Sequence, residues 1–457
     1  MFSTTTVRIT EGSLIENNQT IALSKRLAKL WMIEQNDTIT LFFGLTSVTV
    51  NITSIGEKEN AILCSKELLA ILKIPGEYEL HCSYLPSQKA LHLGPVIAII
   101  TEIKEQSYPV SFGSLSSFCE EFALLSEQSA CFCYITSLSL WKGEEVWGYR
   151  YEDGHWKKEQ MPFPNVVHNR IHSRKTEQST VFSNWLQTLK TYHIPHFNDR
   201  FLNKWEVYEA LEQFAYLQPY IPCTFLFDNK QVLEKALALY DCVFIKPAYG
   251  SQGRKIFKVT RTEHEYTLNY TTFSGDIHTS YTSVDSLFAA LKPYIGHRPY
   301  IVQQGVTLYT YEERPVDFRI LCHKTAQNQW KLTSAVARVS SPNEFVSNIA
   351  MGGEIYKFDE VLQFAFSQKQ VRHLKKLLSE LALETARCLG QSYDGLYGEL
   401  GIDLGLDKDG NPWLIEVNSK PSKNMLPTAI PTPIRPSVRS VLQYCCLIAQ
   451  QPYKEES

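Results

Sequence analysis

The sequence lacks an excess of either charge. Its 457 residues hold 45 lysines and arginines against 48 aspartates and glutamates, a formal net charge of -3. A protein that holds a nucleic acid or an anionic membrane through bulk electrostatics carries a large positive excess. We therefore expect neither a nucleic acid nor a membrane as a partner, and any anion must be bound at a local site.

Long apolar runs are also missing. The longest, such as PVIAII at 95–100, fall far short of the ~20 residues that a membrane-spanning helix needs. The first residues, MFSTTTVRITEGSLIENN, lack the basic and then apolar segments of a secretory signal. These absences predict an intracellular, cytoplasmic protein.

No C-x-x-C pair occurs among the 11 scattered cysteines. An odd number without a disulfide spacing is typical of reduced, mostly buried thiols. Cys131 and Cys133 lie two apart, and Cys445 and Cys446 are adjacent. We interpret both pairs as packing residues rather than metal ligands.

The length predicts two to four domains, and we place three, at 1–92, 93–199 and 200–450. In the first, the segment from Ser24 resembles the segment from Ser65, and each has a short helix followed by alternating β positions. This repeat favours a β-rich, duplicated barrel of the double-psi type. A chance similarity of two helix–strand units is the alternative.

The second domain reads as a small α/β layer, because the apolar run GPVIAIITEI is followed by a helical and then a strand-like segment. Behind it, His168, Arg170, His172 and Arg174 alternate, so in a strand all four would lie on one face. That face is either an anion-binding surface or a solvated basic edge. Arg170 is the preferred candidate, since a guanidinium can bind a carboxylate with two parallel hydrogen bonds.

A C-terminal hairpin, GELGIDLGLDKDGNPWLIEVNSKP, carries the strongest chemical signal. Its Asp-Gly pair at 409–410 favours a two-residue type I′ turn, which places Asp403 opposite Glu416, with Asn418 on the same face. Opposed carboxylates repel unless a cation lies between them. A few oxygen ligands that leave room for water and phosphates suit Mg²⁺ or Mn²⁺. We predict these three residues as metal ligands; surface carboxylates on an exposed hairpin are the alternative.

Two lysines are candidate phosphate ligands. Lys246 ends the apolar strand DCVFIKP and precedes the small-residue loop AYGSQGRK, whose backbone N–H groups could surround a phosphate. The loop is neither a Walker sequence nor a G-x-G-x-x-G motif, so alone it is a weak signal. Lys204 precedes a predicted helix and, taken alone, is an ordinary surface lysine.

Lys204 before a helix, Lys246 before a small-residue loop, and the C-terminal hairpin follow one another along the chain. In this order they resemble the ATP-grasp superfamily over about residues 200–450. From Leu93 onward the chain more narrowly resembles the YheC/YheD family of endospore coat-associated ATP-grasp proteins. The segments that carry this resemblance are HLGPVIAIITE, PFPNVVHNRIHSR, FNDRFLNKW, FIKPAYGSQGRKIFKV, VDFRILCHK, VSNIAMGGE and GIDLGLDKDGNPWLIEVNSKPS.

The resemblance implies an α+β or α/β fold: a two-lobe ATP-grasp unit preceded by a small α/β pre-ATP-grasp domain. It implies an ATP- and Mg²⁺-dependent ligase that activates an unidentified carboxylate as an acyl phosphate and transfers it to an amine or thiol. Spore-coat proteins are candidate partners, and the mother-cell cytoplasm or spore coat is a candidate location. The alternatives are an ATP-binding coat or assembly protein without turnover, and a small-molecule kinase.

The matched motifs also imply individual roles. Arg319, Arg338 and Asn348 are the expected catalytic residues, and Arg170 and Arg174 are the candidates for substrate binding. The expected nucleotide-binding residues are Lys204, Lys246, Gly250, Ser251, Gln252, Gly253, Gln304, Gly305, Val306 and Asp317.

Three points stay open. Gln304 stands where many relatives carry a glutamate, which leaves its side-chain contact with adenine open. Val346 replaces an arginine, so one phosphate contact is missing or lies elsewhere. For the two arginines Arg319 and Arg338, structural pairing with Asp317 or Glu354 is the alternative.

Overall fold

The computed structural model describes residues 4–12, 15, 17–55, 59–106, 109–250, 255–272, 275–296, 298–341, 353–393, 395–423 and 434–450. Within these ranges the strands form a closed barrel and three open sheets. Among the described helices, none is both long enough and apolar enough to cross a membrane. The mixture of helices and sheets confirms the predicted α+β or α/β class.

Residues 4–93 form the barrel, with strand order β1-β5-β2-β4-β3-β7-β6. Its elements are β1 (Thr4–Glu11), β2 (Thr20–Ser24), α1 (Lys25–Trp31), β3 (Thr38–Phe43), β4 (Thr46–Ile55), β5 (Ala61–Cys64), α2 (Lys66–Leu72), β6 (Tyr78–Leu85) and β7 (Ala90–Leu93).

The barrel consists of two interlocked copies of one unit. Ser24 and Ser65 cap α1 and α2 at their N-termini, and Met32 and Lys73 end them with φ angles of 55° and 60°. The first unit contains β1, β2, α1 and β3, and the second contains β4, β5, α2 and β6. The first strand of each unit pairs in parallel with the second strand of the other unit, β1 with β5 and β4 with β2. The repeat predicted from the sequence is therefore confirmed, and the chance-similarity alternative is wrong.

The second sheet begins directly after the barrel. Its strand β8 is fully buried and pairs in parallel with β9 and β13, as expected for an apolar strand covered on both faces. The elements are β8 (Val96–Ile100), α3 (Ser116–Gln128), β9 (Phe132–Thr136), β10 (Trp141–Lys142), β11 (Glu145–Glu152), β12 (His155–Met161), β13 (Val166–Asn169), α4 (Arg174–Glu177), α5 (Thr180–Thr191) and β14 (His196–Phe197).

The third sheet has the order β15-β20-β16-β17-β18-β19 and forms one lobe of the C-terminal unit. Its elements are α6 (Lys204–Glu212), β15 (Thr224–Leu226), α7 (Lys230–Leu239), β16 (Cys242–Pro247), β17 (Phe257–Arg261), β18 (Tyr266–Thr272), β19 (Gly275–Tyr281), α8 (Val284–Ile295) and β20 (Tyr300–Gln304).

The fourth sheet, of order β24-β23-β22-β25-β26 with β21 beside β22, forms the other lobe. Its elements are β21 (Thr310–Tyr311), β22 (Arg314–Lys324), β23 (Trp330–Val339), β24 (Glu354–Tyr356), α9 (Phe358–Leu362), α10 (Gln368–Ser392), β25 (Glu399–Leu406), β26 (Pro412–Asn418) and α11 (Pro436–Ala449). The last helix, α11, shares a hydrophobic core with α3 of the second sheet.

The changes of sheet bear on the predicted domain limits. The barrel ends at Leu93 and the second sheet starts at Val96, close to the predicted limit at 92. One hydrophobic cluster nevertheless includes barrel residues such as Leu91 and second-sheet residues such as Tyr134. The three predicted domains remain an interpretation of the sequence.

Candidate functional site

The fourth sheet brings the predicted metal ligands together. Asp403 of β25 lies opposite Glu416 of β26, as predicted. Nδ2 of Asn418 lies 3.5 Å from Oδ2 of Asp403. Asp403 is only 3% exposed, so the alternative of a fully exposed hairpin is wrong for this carboxylate.

The turn that joins these strands differs from the prediction. The N–H of Gly410 donates to the carbonyl of Asp407 (3.1 Å), and the loop contains three residues, 408–410, so the predicted two-residue turn is wrong. The longer loop shifts the pairing by one position. Ile415 is then an extra residue in β26, and this bulge restores the pairing at Asp403.

Both carboxylate oxygens of Asp403 accept hydrogen bonds from guanidinium groups. Arg319, directly opposite on β22, donates through Nη2 to Oδ2 (2.7 Å) and through Nε to Oδ1. Nη2 of Arg338 lies 3.0 Å from Oδ2. Burial acts to raise the pKa of Asp403, but the two guanidiniums outweigh it and hold the pKa below its ordinary value.

A second buried ion pair fixes Arg338. Asp317 lies opposite it on β22 and accepts from its Nη2 (2.8 Å). The structural pairing considered for the arginines is thus present for Arg338 and Asp317. Glu354, the other candidate, accepts instead from Arg314 (3.2 Å).

Lys204 forms hydrogen bonds both to Gly250, shortly after β16 of the third sheet, and to Glu416 on β26 of the fourth sheet. It is the first residue of α6, whose N-cap, Asn203, forms a capping box with Glu206. Its Nζ donates to Oε1 of Glu416 (3.0 Å) and to the carbonyl of Gly250 (2.9 Å). The predicted phosphate lysine therefore touches a predicted metal ligand.

Lys246 lies in the same electrostatic environment. Burial, together with the nearby Lys204 ammonium, lowers the pKa of Lys246 to about 8, and Glu416 opposes the shift. Its Nζ donates to Oε1 of Gln303 (2.8 Å), whose Nε2 donates to Oγ1 of Thr224 (3.0 Å). Sequence reasoning missed Gln303, because the pairing of β16 with β20 had no local signal.

The predicted adenine segment continues from β20. Oε1 of Gln304 accepts from the backbone N–H of Cys223 (3.2 Å), and its own N–H donates to the carbonyl of Cys223 (2.8 Å). The N–H of Gly305 donates to the carbonyl of Cys242 (2.8 Å). These bonds hold the segment to both neighbouring strands; the adenine contacts of Gln304, Gly305 and Val306 stay a prediction.

A comparison with protein families identifies the unit that carries this geometry. Residues 193–448 match the model of the YheC/D-like ATP-grasp family. The chain belongs to this family.

Two curated relatives of the YheC/D ATP-grasp protein come from Bacillus subtilis (strain 168). "Endospore coat-associated protein YheD" is 29% identical over 86% of this chain and 86% of its own length. "Endospore coat-associated protein YheC" is 24% identical over 61% of this chain and 76% of its own length. Among solved structures, the VanG D-Ala:D-Ser ligase from Enterococcus faecalis is similar with a TM-score of 0.46 and 12% identity, over 72% of this chain and 92% of that chain.

In this YheC/D ATP-grasp protein the two substrate candidates lie in different surroundings. Arg170 is fully buried, and donates to Oε1 of Glu399 (2.6 Å) and to the carbonyl of Pro421 (2.8 Å). His168 is also fully buried, so the alternative of a solvated basic edge is wrong for both. The prediction that the four alternating residues lie on one face of a strand is wrong as well, since β13 ends at Asn169. A substrate role for Arg170 stays a prediction.

Glu399 is a buried residue that sequence reasoning missed. Its Oε2 also accepts a hydrogen bond from Nζ of Lys423. Oε1 lies 3.2 Å from Nε2 of His168, and Oε2 lies 3.2 Å from Nε2 of His323. Burial raises its pKa, but Lys423 and Arg170 outweigh this effect and hold the pKa well below its usual range. Burial lowers the pKa of each histidine to about 4, so both are neutral at pH 7.

Arg174, by contrast, shares a contact with Lys204, one of the two predicted phosphate ligands. It is the first residue of α4, and its Nη2 donates to the carbonyl of Gly250 (3.4 Å), which Lys204 also contacts. Its guanidinium lies 5.0 Å from the ring centroid of Phe201. Helix α4, which follows β13 of the second sheet, therefore places the guanidinium of Arg174 beside Gly250 and Lys204.

The donor set suits a hard divalent cation, because two carboxylates and one amide oxygen match the chemistry of Mg²⁺. In this arrangement Arg319 and Lys204 bind the carboxylates of Asp403 and Glu416. The described ranges contain no group of three or more His, Cys, Asp or Glu side chains placed to hold a metal. Ser251, Gln252, Gly253 and Asn348 lie outside the described residues.

Proposed function

We propose that the chain is an ATP- and Mg²⁺-dependent ligase that joins a carboxylate to an amine or thiol through an acyl phosphate. Membership of the ATP-grasp family supports ATP as the phosphoryl donor. One observation carries the proposal: two carboxylates lie in neighbouring strands and each is bound by a cation, Asp403 by Arg319 (2.7 Å) and Glu416 by Lys204 (3.0 Å). Phosphoryl transfer needs both kinds of group, cations for the phosphates and carboxylates for the metal.

In this proposal Lys204 and Lys246 bind the phosphates of ATP. Lys204 exchanges the Gly250 carbonyl, 2.9 Å away, for a phosphate oxygen. A bound phosphate stabilises Lys246 in particular. Burial and the Lys204 ammonium disfavour its protonated form, and the negative charge of a phosphate favours that form. Gln303 keeps its Nζ directed through a 2.8 Å hydrogen bond.

Arg319 and Arg338 stabilise the negative charge that develops when phosphate is transferred to the carboxylate and later displaced. Asp317 holds Arg338 in place with its buried carboxylate. Arg319 is free to turn from Asp403 to the acyl phosphate once another cation neutralises that carboxylate. Asp403, Glu416 and Asn418 are the residues that would hold Mg²⁺, which supplies positive charge to the phosphates when bound.

A second candidate is an ATP-binding coat or assembly protein without turnover. The curated relatives are both named as endospore coat-associated, and this favours a place in the spore coat. The closed ion pair between Arg319 and Asp403 also suits a protein that binds a nucleotide without processing it.

The experiment that separates these functions is an ADP-release assay with pooled amino acids, peptides and polyamines, followed by mass spectrometry. A ligase releases ADP only when both an acid and an amine or thiol are present, and forms a conjugate of the two. Mg-ATP binding without ADP release in every mixture supports the coat protein. A phosphorylated product that is stable without an amine indicates a small-molecule kinase.

A further inference from the structure

Two thiols that are distant in the sequence meet between the second sheet and the C-terminal helix. Sγ of Cys131 lies 3.7 Å from Sγ of Cys446, and the two residues are 315 positions apart. Cys131 directly precedes β9, and Cys446 lies on α11. We propose that Cys131 and Cys446 are a disulfide site, oxidised by exchange with a low-molecular-weight disulfide. The proposal is independent of the ligase function.

The packing of α11 keeps the two thiols together. Its buried side chains Val441, Tyr444 and Cys445 share a hydrophobic core with α3. At the other end of the helix, the N–H and Nε of Arg435 both donate to Oε2 of Glu121 on α3 (3.0 Å each). Because both ends of α11 are held, the two sulfurs stay near each other, and formation of the disulfide requires them to approach from 3.7 Å to ~2.05 Å.

Exposure selects the thiol that meets the oxidant. Cys446 is partly exposed, whereas Cys131 is 1% exposed. The neighbouring thiols Cys133 and Cys445 are also buried, at 5% and 0%. A small disulfide therefore reaches Cys446 first. The contact between the two thiols also lowers the pKa of Cys446 and raises that of Cys131, which favours Cys446 as the thiolate.

The reaction is a two-step exchange. The Cys446 thiolate attacks one sulfur of the small disulfide RSSR, whose S–S bond breaks, and the leaving thiolate takes up a proton to give RSH. Cys131 then loses its proton to solvent and attacks Sγ of Cys446 in the mixed disulfide, which releases the second RSH. Two protein thiols are oxidised and one RSSR is reduced.

The cross-link would join α11, and with it the C-terminal unit, to the second sheet. A disulfide restricts the unfolded chain more strongly when the loop that it closes is long. We therefore expect the oxidised protein to melt several degrees higher than the reduced protein, and dithiothreitol to reverse the shift.

The test uses the folded full-length chain incubated with oxidised glutathione. Free thiols are alkylated, the protein is digested without reduction, and mass spectrometry finds the linked peptides. We expect one peptide pair joined through Cys131 and Cys446, together with the higher melting temperature. Cys446→Ser should remove both effects, and Cys445→Ala, the adjacent control, should retain them.

Three results would overturn the proposal: Cys446 present only as a mixed disulfide with glutathione, a link from Cys446 to Cys133 or Cys445, or thiols that all stay reduced. The digest of the unaltered protein gives each of these answers by itself. The test therefore does not depend on whether the serine variant folds.

Discussion

Nζ of Lys204 lies 3.0 Å from Oε1 of Glu416, although the two residues are 212 positions apart in the sequence. One was expected to bind phosphate and the other a metal ion. Their contact means that the candidate site is electrically neutralised by its own side chains. When both ligands are bound, the ion pair between Lys204 and Glu416 is replaced by two others, Lys204 with phosphate and Glu416 with the metal. The metal and the phosphate should therefore bind better together than apart.

Glu416→Gln should weaken Mg-ATP binding by at least about tenfold, because a charged ligand to the metal is lost. The melting temperature of the free protein should change little, since the Glu416 side chain is 28% exposed and on the hairpin. A thermal-shift titration with Mg-ATP measures both quantities. Asp409→Asn, in the exposed turn of the same hairpin, removes an equal charge and should bind normally. An unchanged titration in Glu416→Gln would show that the metal assignment is wrong.

Nucleotide affinity should fall as the pH rises through about 8. Burial and the Lys204 ammonium lower the pKa of Lys246 to about 8, so its phosphate-binding, protonated form is present below that pH and lost above it. A bound phosphate raises this pKa, and binding at pH ~8.5 should therefore take up protons. Calorimetry in two buffers of different ionisation enthalpy measures the uptake. Lys246→Met should abolish it, and uptake that persists in this variant would contradict the assignment.

Arg174→Ala should weaken nucleotide binding roughly tenfold, since one cation near the phosphates is lost. The side chain contacts the Gly250 carbonyl at 3.4 Å and lies outside the cores of the two lobes. Lys175→Ala, at the next and exposed position, is the matched control. Binding titrations at low and high salt should show the difference, and equal nucleotide affinities for the two variants would refute a role for Arg174 in nucleotide binding.

Arg170→Ala should lower the free energy of unfolding by about 3–5 kcal/mol, because removal of one partner leaves a buried charge short of compensation. Both Arg170 and Glu399 are fully buried. Urea denaturation measures the change, with the exposed Arg372→Ala as the control. If the variant were as stable as the control but lost its dependence on the acid substrate, the substrate role predicted from the sequence would be supported instead.

The sequence predicted the pairing of Asp403 with Glu416, but by an incomplete argument. An Asp-Gly pair was taken to form a two-residue turn. This holds at Asp153 and Gly154, where φ is positive at both residues. At Gly410 the loop has three residues, and the bulge at Ile415 cancels the shift. Two compensating irregularities have no local sequence signal, so the correct pair followed from an incorrect turn.

Contacts over long sequence distances were beyond sequence reasoning. The sequence showed that basic residues alternate around Arg170. It did not show that Glu399, 229 positions away, binds the guanidinium of Arg170. The same limit applies to Gln303 and Lys246, 57 positions apart. Local periodicity and capping, in contrast, located the helices that follow Ser24 and Ser65 and the strand that carries Lys246, because they depend on neighbouring residues.

The most direct test of the ligase mechanism follows the oxygen of the substrate carboxylate. An acid identified by the ADP-release screen is labelled with ¹⁸O in its carboxyl group and converted with ATP and the amine or thiol. Formation of an acyl phosphate transfers one labelled oxygen to inorganic phosphate for each conjugate formed. We predict this transfer, and unlabelled phosphate alongside the conjugate would contradict it.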